Sequence, residues 1–328
     1  MALITLEAVT RLLLYPASLD FVRFASYPAR ARDLVSQPGL RVALIGNSAT
    51  EEAVDLAWVK ADLQAKGLGP VDLDLFLADG SGITTWRFMM ERYFWRPGLK
   101  PDLFVLTYFE SRLEDGSEDD IGRLAQFFTT PADWPELFRT DLKNLSERTE
   151  FLLSSGWATY AARARIKDRV LALLVPGYKE FTFGLNGAAL HHSQRLAEHA
   201  APPSRQYRAL NRTLNRAREA GTPICIIAFP MRRTTNQPPY GIDPELKRVA
   251  EVGGANFIDL RVMPELGFND YRDPIHLQAP GRAKYSRRLT EILAAELRSV
   301  SATGTAPIAK HGRSSSVQFT RGGQWPLR

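Results

Sequence analysis

Five short apolar runs punctuate the chain, at residues 42–45, 73–77, 103–106, 224–229 and 257–260. Each is strand-length and predominantly apolar, with Asp74 and Asp259 the only charged residues, the pattern of a buried parallel strand. The segments between most of them carry apolar residues at helical spacing. Residues 51–66 mix charged and apolar side chains and meet Gly67, Gly69 and Pro70, which end a helix. Residues 205–220 place Tyr207, Leu210 and Leu214 on one side and several arginines on the other, before Gly221 and Pro223. Residues 244–252 and 283–297 repeat the pattern. Strands alternating with helices predict an α/β fold: a three-layer αβα, flavodoxin-like arrangement with a five-stranded parallel sheet. Right-handed crossovers leave few ways to order it.

Two stretches break the rhythm. Residues 112–204 are too long for a simple connection. They are rich in aromatics, among them Phe127, Phe128, Trp134, Phe138, Trp157, Tyr160, Tyr178, Phe181 and Phe183, with a helical pattern at 157–174. They are expected to form a helical insertion covering one side of the cleft. Residues 299–328 are rich in Ser, Gly, Thr and Arg without periodicity, which predicts a disordered basic tail carrying Lys310, Arg313 and Arg321. The main domain is therefore expected over 41–298.

The leading segment, 1–40, opens with MALITLEAVTRLLLY. Glu7 and Arg11 interrupt it, and its apolar stretch is shorter than the about 20 residues that span a bilayer. It lacks the basic leading region of a complete export signal. It reads as a helix packed on the domain or as a membrane-anchor remnant or interfacial helix, which would associate the protein with a membrane.

A net charge of +6 comes from basic residues scattered among acids, which argues against nucleic acid as a partner. The single cysteine, Cys225, lies inside an apolar run, cannot form an intrachain disulfide, and reads as a buried small hydrophobe. No Cys/His spacing resembles a zinc site, and the cluster His191, His192 and His199 lacks a carboxylate or thiolate partner at ligand spacing. No metal is expected.

The candidate chemistry lies at two distant places. Gly46-Asn47-Ser48 follows the first strand and precedes a helix. A serine on so tight a turn sits beside the unpaired N–H groups of a helix start, which suit an oxyanion. Asp273-Pro274-Ile275-His276-Leu277 follows the last strand and precedes the last helix, with Pro280-Gly281 between. Asp-x-x-His on a short loop lets the carboxylate hold one ring nitrogen and leaves the other to accept a proton from serine. Either motif is common by itself; their positions in chain order carry the information.

This combination resembles the SGNH (GDSL-like) hydrolase superfamily over roughly residues 41–297, the insertion excepted. The resemblance implies Ser48 as nucleophile, His276 as general base and Asp273 as the residue that orients it. Asn47 stands where the family has Asp. Ser81-Gly82-Ile83-Thr84 matches the second block, implying Gly82 as an oxyanion donor. The third block departs: the family has Gly-x-Asn-Asp, whereas this chain reads Thr107-Tyr108-Phe109-Glu110-Ser111. Thr107 or Tyr108 could supply a hydroxyl, or the donor is missing. The departure resembles divergent members that act on exopolysaccharides and cell walls. It implies an esterase or O-acyltransferase on a small-molecule or glycan ester, extracytoplasmic and without cofactor. The competing implication is a non-catalytic binding or scaffolding module.

Other residues are weaker. Arg232 and Arg233 follow the fourth strand, where open sheets bind ligands, and read as an anion contact or a solvated loop. Trp86, Trp95 and Tyr108 read as packing under the insertion or as a sugar platform. Asp55 and Asp79 lie near the proposed cleft without an assigned role.

Overall fold

The computed structural model describes residues 2–116, 120–142, 144–178, 206–233 and 237–302. Its centre is a five-stranded, wholly parallel sheet in the order β2-β1-β3-β4-β5. The strands are β1 (Leu40–Gly46), β2 (Val71–Leu77), β3 (Leu103–Tyr108), β4 (Ile224–Ala228) and β5 (Asn256–Asp259). All five apolar runs are therefore strands, and the expected three-layer α/β class holds. The order reverses between β1 and β3, and open sheets of this kind receive ligands outside the carboxyl ends at such a reversal.

Alternation within each strand sends side chains to two cores. Ala43, Ile45, Phe104, Leu106 and Ile226 face one core. It is covered by α2 (Leu19–Ser36), α5 (Ile83–Met90), α11 (Arg208–Ala220) and α12 (Pro244–Val252). Val42, Leu44, Val105, Cys225 and Ile227 face the other, under α3 (Ser48–Ala53), α4 (Leu56–Ala65) and α13 (Ala279–Ala302). Cys225 is fully buried, as expected, and burial pushes its thiol pKa up.

Several helix boundaries differ from those the sequence suggests. The single helix expected over 51–66 is two, because Val54 and Asp55 leave helical geometry. Asp55 accepts from Trp58 N at 3.0 Å and so starts α4, which gives this carboxylate its role. The helix expected over 157–174 divides at Ala162 into α9 (Ala158–Ala161) and α10 (Arg163–Leu174). The last helix is longer than expected: α13 carries helical structure through Ser299 to Ala302.

The insertion contributes α6 (Ile121–Arg123), α7 (Trp134–Thr140) and α8 (Leu145–Gly156) besides α9 and α10. A π-helical turn, Leu124–Phe128, follows α6. Phe127 and Phe128 of that turn pack on Phe24 of α2 with ring centroids 5.2 and 5.0 Å away. The leading segment is helical, as α1 (Ala2–Val9) and a π-helical turn, Thr10–Leu14. Among the described residues no helix is long and apolar enough to cross a membrane. Phe181, Phe183, His191, His192, His199 and residues 303–328, with Lys310, Arg313 and Arg321, lie outside the described residues.

Candidate active site

Ser48 is the first residue of α3, so its backbone N–H lies beyond the helix's own hydrogen-bond ladder. Asn47 before it is extended, and its Oδ1 accepts from Ala49 N at 3.1 Å, capping the helix. Gly46 is required by space. A Cβ there would overlap the hydroxyls of Thr50 and Thr107, which hydrogen-bond to each other just behind the turn. Ser48 is half-buried between buried neighbours, presenting its hydroxyl at the carboxyl end of β1.

The second loop is a small hairpin. Tyr271 and Leu277 form an antiparallel bridge, Arg272 N donates to His276 O at 2.8 Å, and Gln278 N donates to Asp270 O at 2.9 Å. Gly281 lets the first turn of α13 sit directly on the Asp270 carbonyl, where a Cβ would collide. At the tip, Asp273 Oδ1 accepts from Ile275 N at 2.9 Å and His276 N at 2.8 Å. Its Oδ2 lies 2.7 Å from His276 Nδ1.

The two loops meet. Ser48 Oγ lies 3.0 Å from His276 Nε2. An ionised carboxylate only accepts, so Nδ1 carries the proton toward Asp273. In the neutral ring Nε2 is then an acceptor for the serine hydroxyl. The three residues expected to act together are thus hydrogen-bonded in series.

Electrostatics follow from these bonds. Burial pushes the Asp273 pKa up. The His276 ring and the backbone N–H groups of His276 and Ile275 outweigh it, holding the carboxyl well below the usual range. The bond to Asp273 raises the His276 pKa above its ordinary value of 6.5, against the opposing effect of burial; Glu52 adds to the rise and Arg272 subtracts.

A seam between α3 and α13 fixes the meeting. Ser286 Oγ accepts from Asp55 N at 2.9 Å and donates to Ala53 O at 3.3 Å. Arg282 Nε donates to Glu52 O at 2.6 Å, and Arg272 Nη2 donates to Glu52 Oε1 at 2.9 Å. Sequence reasoning missed Glu52, Arg272, Arg282 and Ser286. Glu52 lies one helical turn beyond Ser48, Arg272 and Arg282 directly beside motif residues and Ser286 further along the last helix, positions a motif search does not read.

The remaining expected residues divide. Gly82 is buried and caps the start of α5 after β2, whose neighbour in the sheet is β1. Asn47 is 2 % exposed, and its Nδ2 is buried without a hydrogen-bond partner. Thr107 does not offer a spare hydroxyl: its Oγ1 bonds Thr50 and approaches Ile45 O at 3.4 Å. The Tyr108 ring packs against Tyr240 and Phe257 in the core, centroids 6.3 and 6.2 Å away, with a buried hydroxyl. The Thr107 hydroxyl is therefore engaged in structure, whereas the Tyr108 hydroxyl is buried with no hydrogen-bond partner among the described residues. Trp86 and Trp95 are buried too, Trp86 Nε1 donating to Ser81 Oγ at 2.8 Å, so packing is their role. Arg232 N donates to Pro274 O at 2.9 Å and its guanidinium lies 4.5 Å from the Phe268 ring, bracing the histidine hairpin. Asp79 accepts from Arg23 Nη2 at 3.1 Å. Among the described residues no group of three or more His, Cys, Asp or Glu could hold a metal ion.

No family model matches this chain, and no curated protein matches it. Solved structures similar to it include the acetyl xylan esterase AlAXEase, 12 % identical, with 77 % of this chain and 99 % of that one covered and a TM-score of 0.39. Another is a mutant of an acetyl-xylooligosaccharide esterase from Geobacillus stearothermophilus, 14 % identical, covering 79 % of this chain and 93 % of that one, with a TM-score of 0.38. A catalytic mutant of an acetylxylan esterase from Geobacillus stearothermophilus is 12 % identical over the same shares, with a TM-score of 0.35.

Proposed function

We propose that this protein is a serine esterase or O-acyltransferase that cleaves an ester through Ser48, His276 and Asp273. The observation that carries the reading is the unbroken relay from Asp273 through the His276 ring to the Ser48 hydroxyl. His276 Nε2 takes the hydroxyl proton as Ser48 Oγ attacks the ester carbonyl carbon. The carbonyl π electrons move to oxygen, giving a tetrahedral oxyanion. Asp273 keeps the ring in the tautomer this requires and stabilises the imidazolium formed. Collapse expels the alcohol, which receives the proton from Nε2, and leaves an acyl-serine. Water or a sugar hydroxyl, deprotonated by the same nitrogen, then attacks the acyl carbon and frees Ser48.

The oxyanion needs donors. In this reading they are the Ser48 backbone N–H, the Gly82 N–H implied by the family resemblance, and Asn47 Nδ2. The last is supported by its burial beside the nucleophile with no acceptor in place. It stands in for the Asn that the third block lacks. The resemblance further suggests an O-acyl carbohydrate as substrate.

The decisive experiment is hydrolysis of p-nitrophenyl acetate by the wild type and Ser48→Ala. The wild type turns the ester over and takes up a fluorophosphonate at Ser48. The variant loses at least about 10⁴-fold in kcat and is not labelled. An unchanged rate in Ser48→Ala overturns the assignment. Release of acetate from acetylated glycans, with and without an added sugar acceptor, separates hydrolysis from transfer.

A further inference from the structure

The leading helical segment has the opposite polarity to a helix docked on a protein core. Between Leu3 and Leu13, only Glu7 and Thr10 are not exposed, and both are polar. They are the residues that hold the segment in place. Glu7 accepts from Ala158 N, Thr159 N and Thr159 Oγ1, each at 2.9 Å, at the start of α9. Thr10 Oγ1 lies 2.9 Å from Thr159 Oγ1, and Arg11 Nη2 donates to Gly156 O at 3.3 Å. The outward side is aliphatic. Ile4 is 73 % exposed and Leu12 71 %, with Leu3, Leu6, Val9 and Leu13 beside them. Leu19, 87 % exposed, and Val22 continue the surface into α2.

Water selects the reverse arrangement, apolar side in and polar side out. A contiguous apolar patch outside a protein marks a binding surface. Two observations decide what covers this one. Its exposed large hydrophobic side chains are all Leu, Ile or Val, without the exposed aromatic anchors that give protein interfaces their shape and strength, and its exposed Arg11 is paired with Glu7. Fluid acyl chains require no such complementarity. Further, α9 also carries α10, whose exposed Val170, Leu173 and Leu174 lie beside exposed Lys167 and Arg169. Basic side chains flanking an aliphatic surface match an anionic bilayer, as does the net charge of +6.

We propose that the segment from Leu3 to Val22, together with α10, is an interfacial membrane-docking surface for an anionic lipid bilayer. The segment lies in the plane of the interface: no described helix is long and apolar enough to cross. The polar contacts to α9 seat it, and the aliphatic side enters the headgroup–acyl boundary. The proposal is independent of the ester chemistry.

The test is co-sedimentation of the full chain with vesicles of phosphatidylcholine alone or mixed equally with phosphatidylglycerol. The wild type pellets with vesicles, more strongly with the anionic mixture. Ile4→Ser/Leu12→Ser/Leu13→Ser changes only exposed side chains, so it melts at the wild-type temperature and binds vesicles at least about tenfold more weakly. Lys167→Glu/Arg169→Glu lowers binding to the anionic vesicles and leaves binding to the neutral ones. Three outcomes overturn the proposal: a wild type that stays in the supernatant with both compositions, a triple variant that pellets like the wild type, or a wild-type dimer without vesicle binding that the triple substitution converts to a monomer. The last would assign the surface to self-association.

Discussion

The carboxyl ends of the neighbouring strands β1 and β3 lie side by side, yet the hydroxyls there are used in opposite ways. After β1, Ser48 turns outward and meets His276 Nε2 at 3.0 Å. At the carboxyl end of β3, Thr107 turns behind the Gly46 turn to bond Thr50, and the Tyr108 ring packs among Tyr240 and Phe257. A hydroxyl near a strand's carboxyl end is available for chemistry only if the fold has not already satisfied or buried it. The backbone carries the same contrast: Glu110, after β3, has φ of 50°, whereas Asn47 and Gly82, after β1 and β2, are extended. Left-handed geometry at a residue other than glycine requires a loop held by its surroundings. Here Arg112, just beyond it, donates to Gly80 O at 3.0 Å and accepts from Ile83 N at 2.8 Å, tying the loop to the start of α5.

The comparison breaks most sharply at Asp273. Asp273→Asn is expected to cut kcat on p-nitrophenyl acetate by about 10⁴-fold, by favouring the wrong ring tautomer. Its pH profile sharpens the point. The wild-type ring must be neutral to accept a proton, so its acid limb lies above 6.5, and losing the bond to Asp273 moves that limb down. Stability runs the other way. The raised His276 pKa stabilises the fold fully below 6.5, and the gain is lost as pH rises through the folded value. The depressed Asp273 pKa stabilises fully above 3.8, and the gain is lost as pH falls through the folded value. Both contributions are complete between 3.8 and 6.5. The difference in Tm between wild type and Asp273→Asn is greatest in that window, where the base is protonated and turnover is low; a pH-independent difference would remove this account.

Asn47→Ala comes next. Loss of an oxyanion donor lowers kcat by about 10²–10³-fold with little change in KM. Burst kinetics with a chromogenic acetate measure it, and a rate within a factor of about two of wild type would strip Asn47 of that role. The smallest catalytic effect is expected at Thr107→Val. It leaves the Thr50 hydroxyl buried without its partner, at a cost of about 1–3 kcal/mol in stability. Urea denaturation measures that cost, and kcat stays at the wild-type level. A large fall in kcat without loss of stability would return Thr107 to the chemistry.

Much of this arrangement is legible in the sequence, for identifiable reasons. The inner strands are visible because a sheet covered on both faces demands uninterrupted apolar runs such as 103–106 and 224–229; the edge strands β2 and β5, carrying Asp72, Asp74 and Asp259, are marked less cleanly. Ser48 and the Asp273–His276 pair are visible because position relative to the first and last strands is encoded in chain order. The division at Asp55 is harder, since one carboxylate capping α4 outweighs a helical pattern that runs across it. The fate of Thr107 and Tyr108 is invisible because one residue of strand register decides which core a side chain joins. The Glu52–Arg282–Ser286 seam is invisible for a different cause: its partners are brought together only by tertiary packing.

That seam makes the site a late product of folding. Ser48 and His276 are 228 residues apart in the chain, and contacts that clamp their loops belong to the last helix described. In a growing polypeptide Ser48 precedes its hydrogen-bond partner, and the two meet only once α13 has emerged and docked. On the proposed function, recovery of turnover after denaturation would report closure of the whole sheet rather than of any one part.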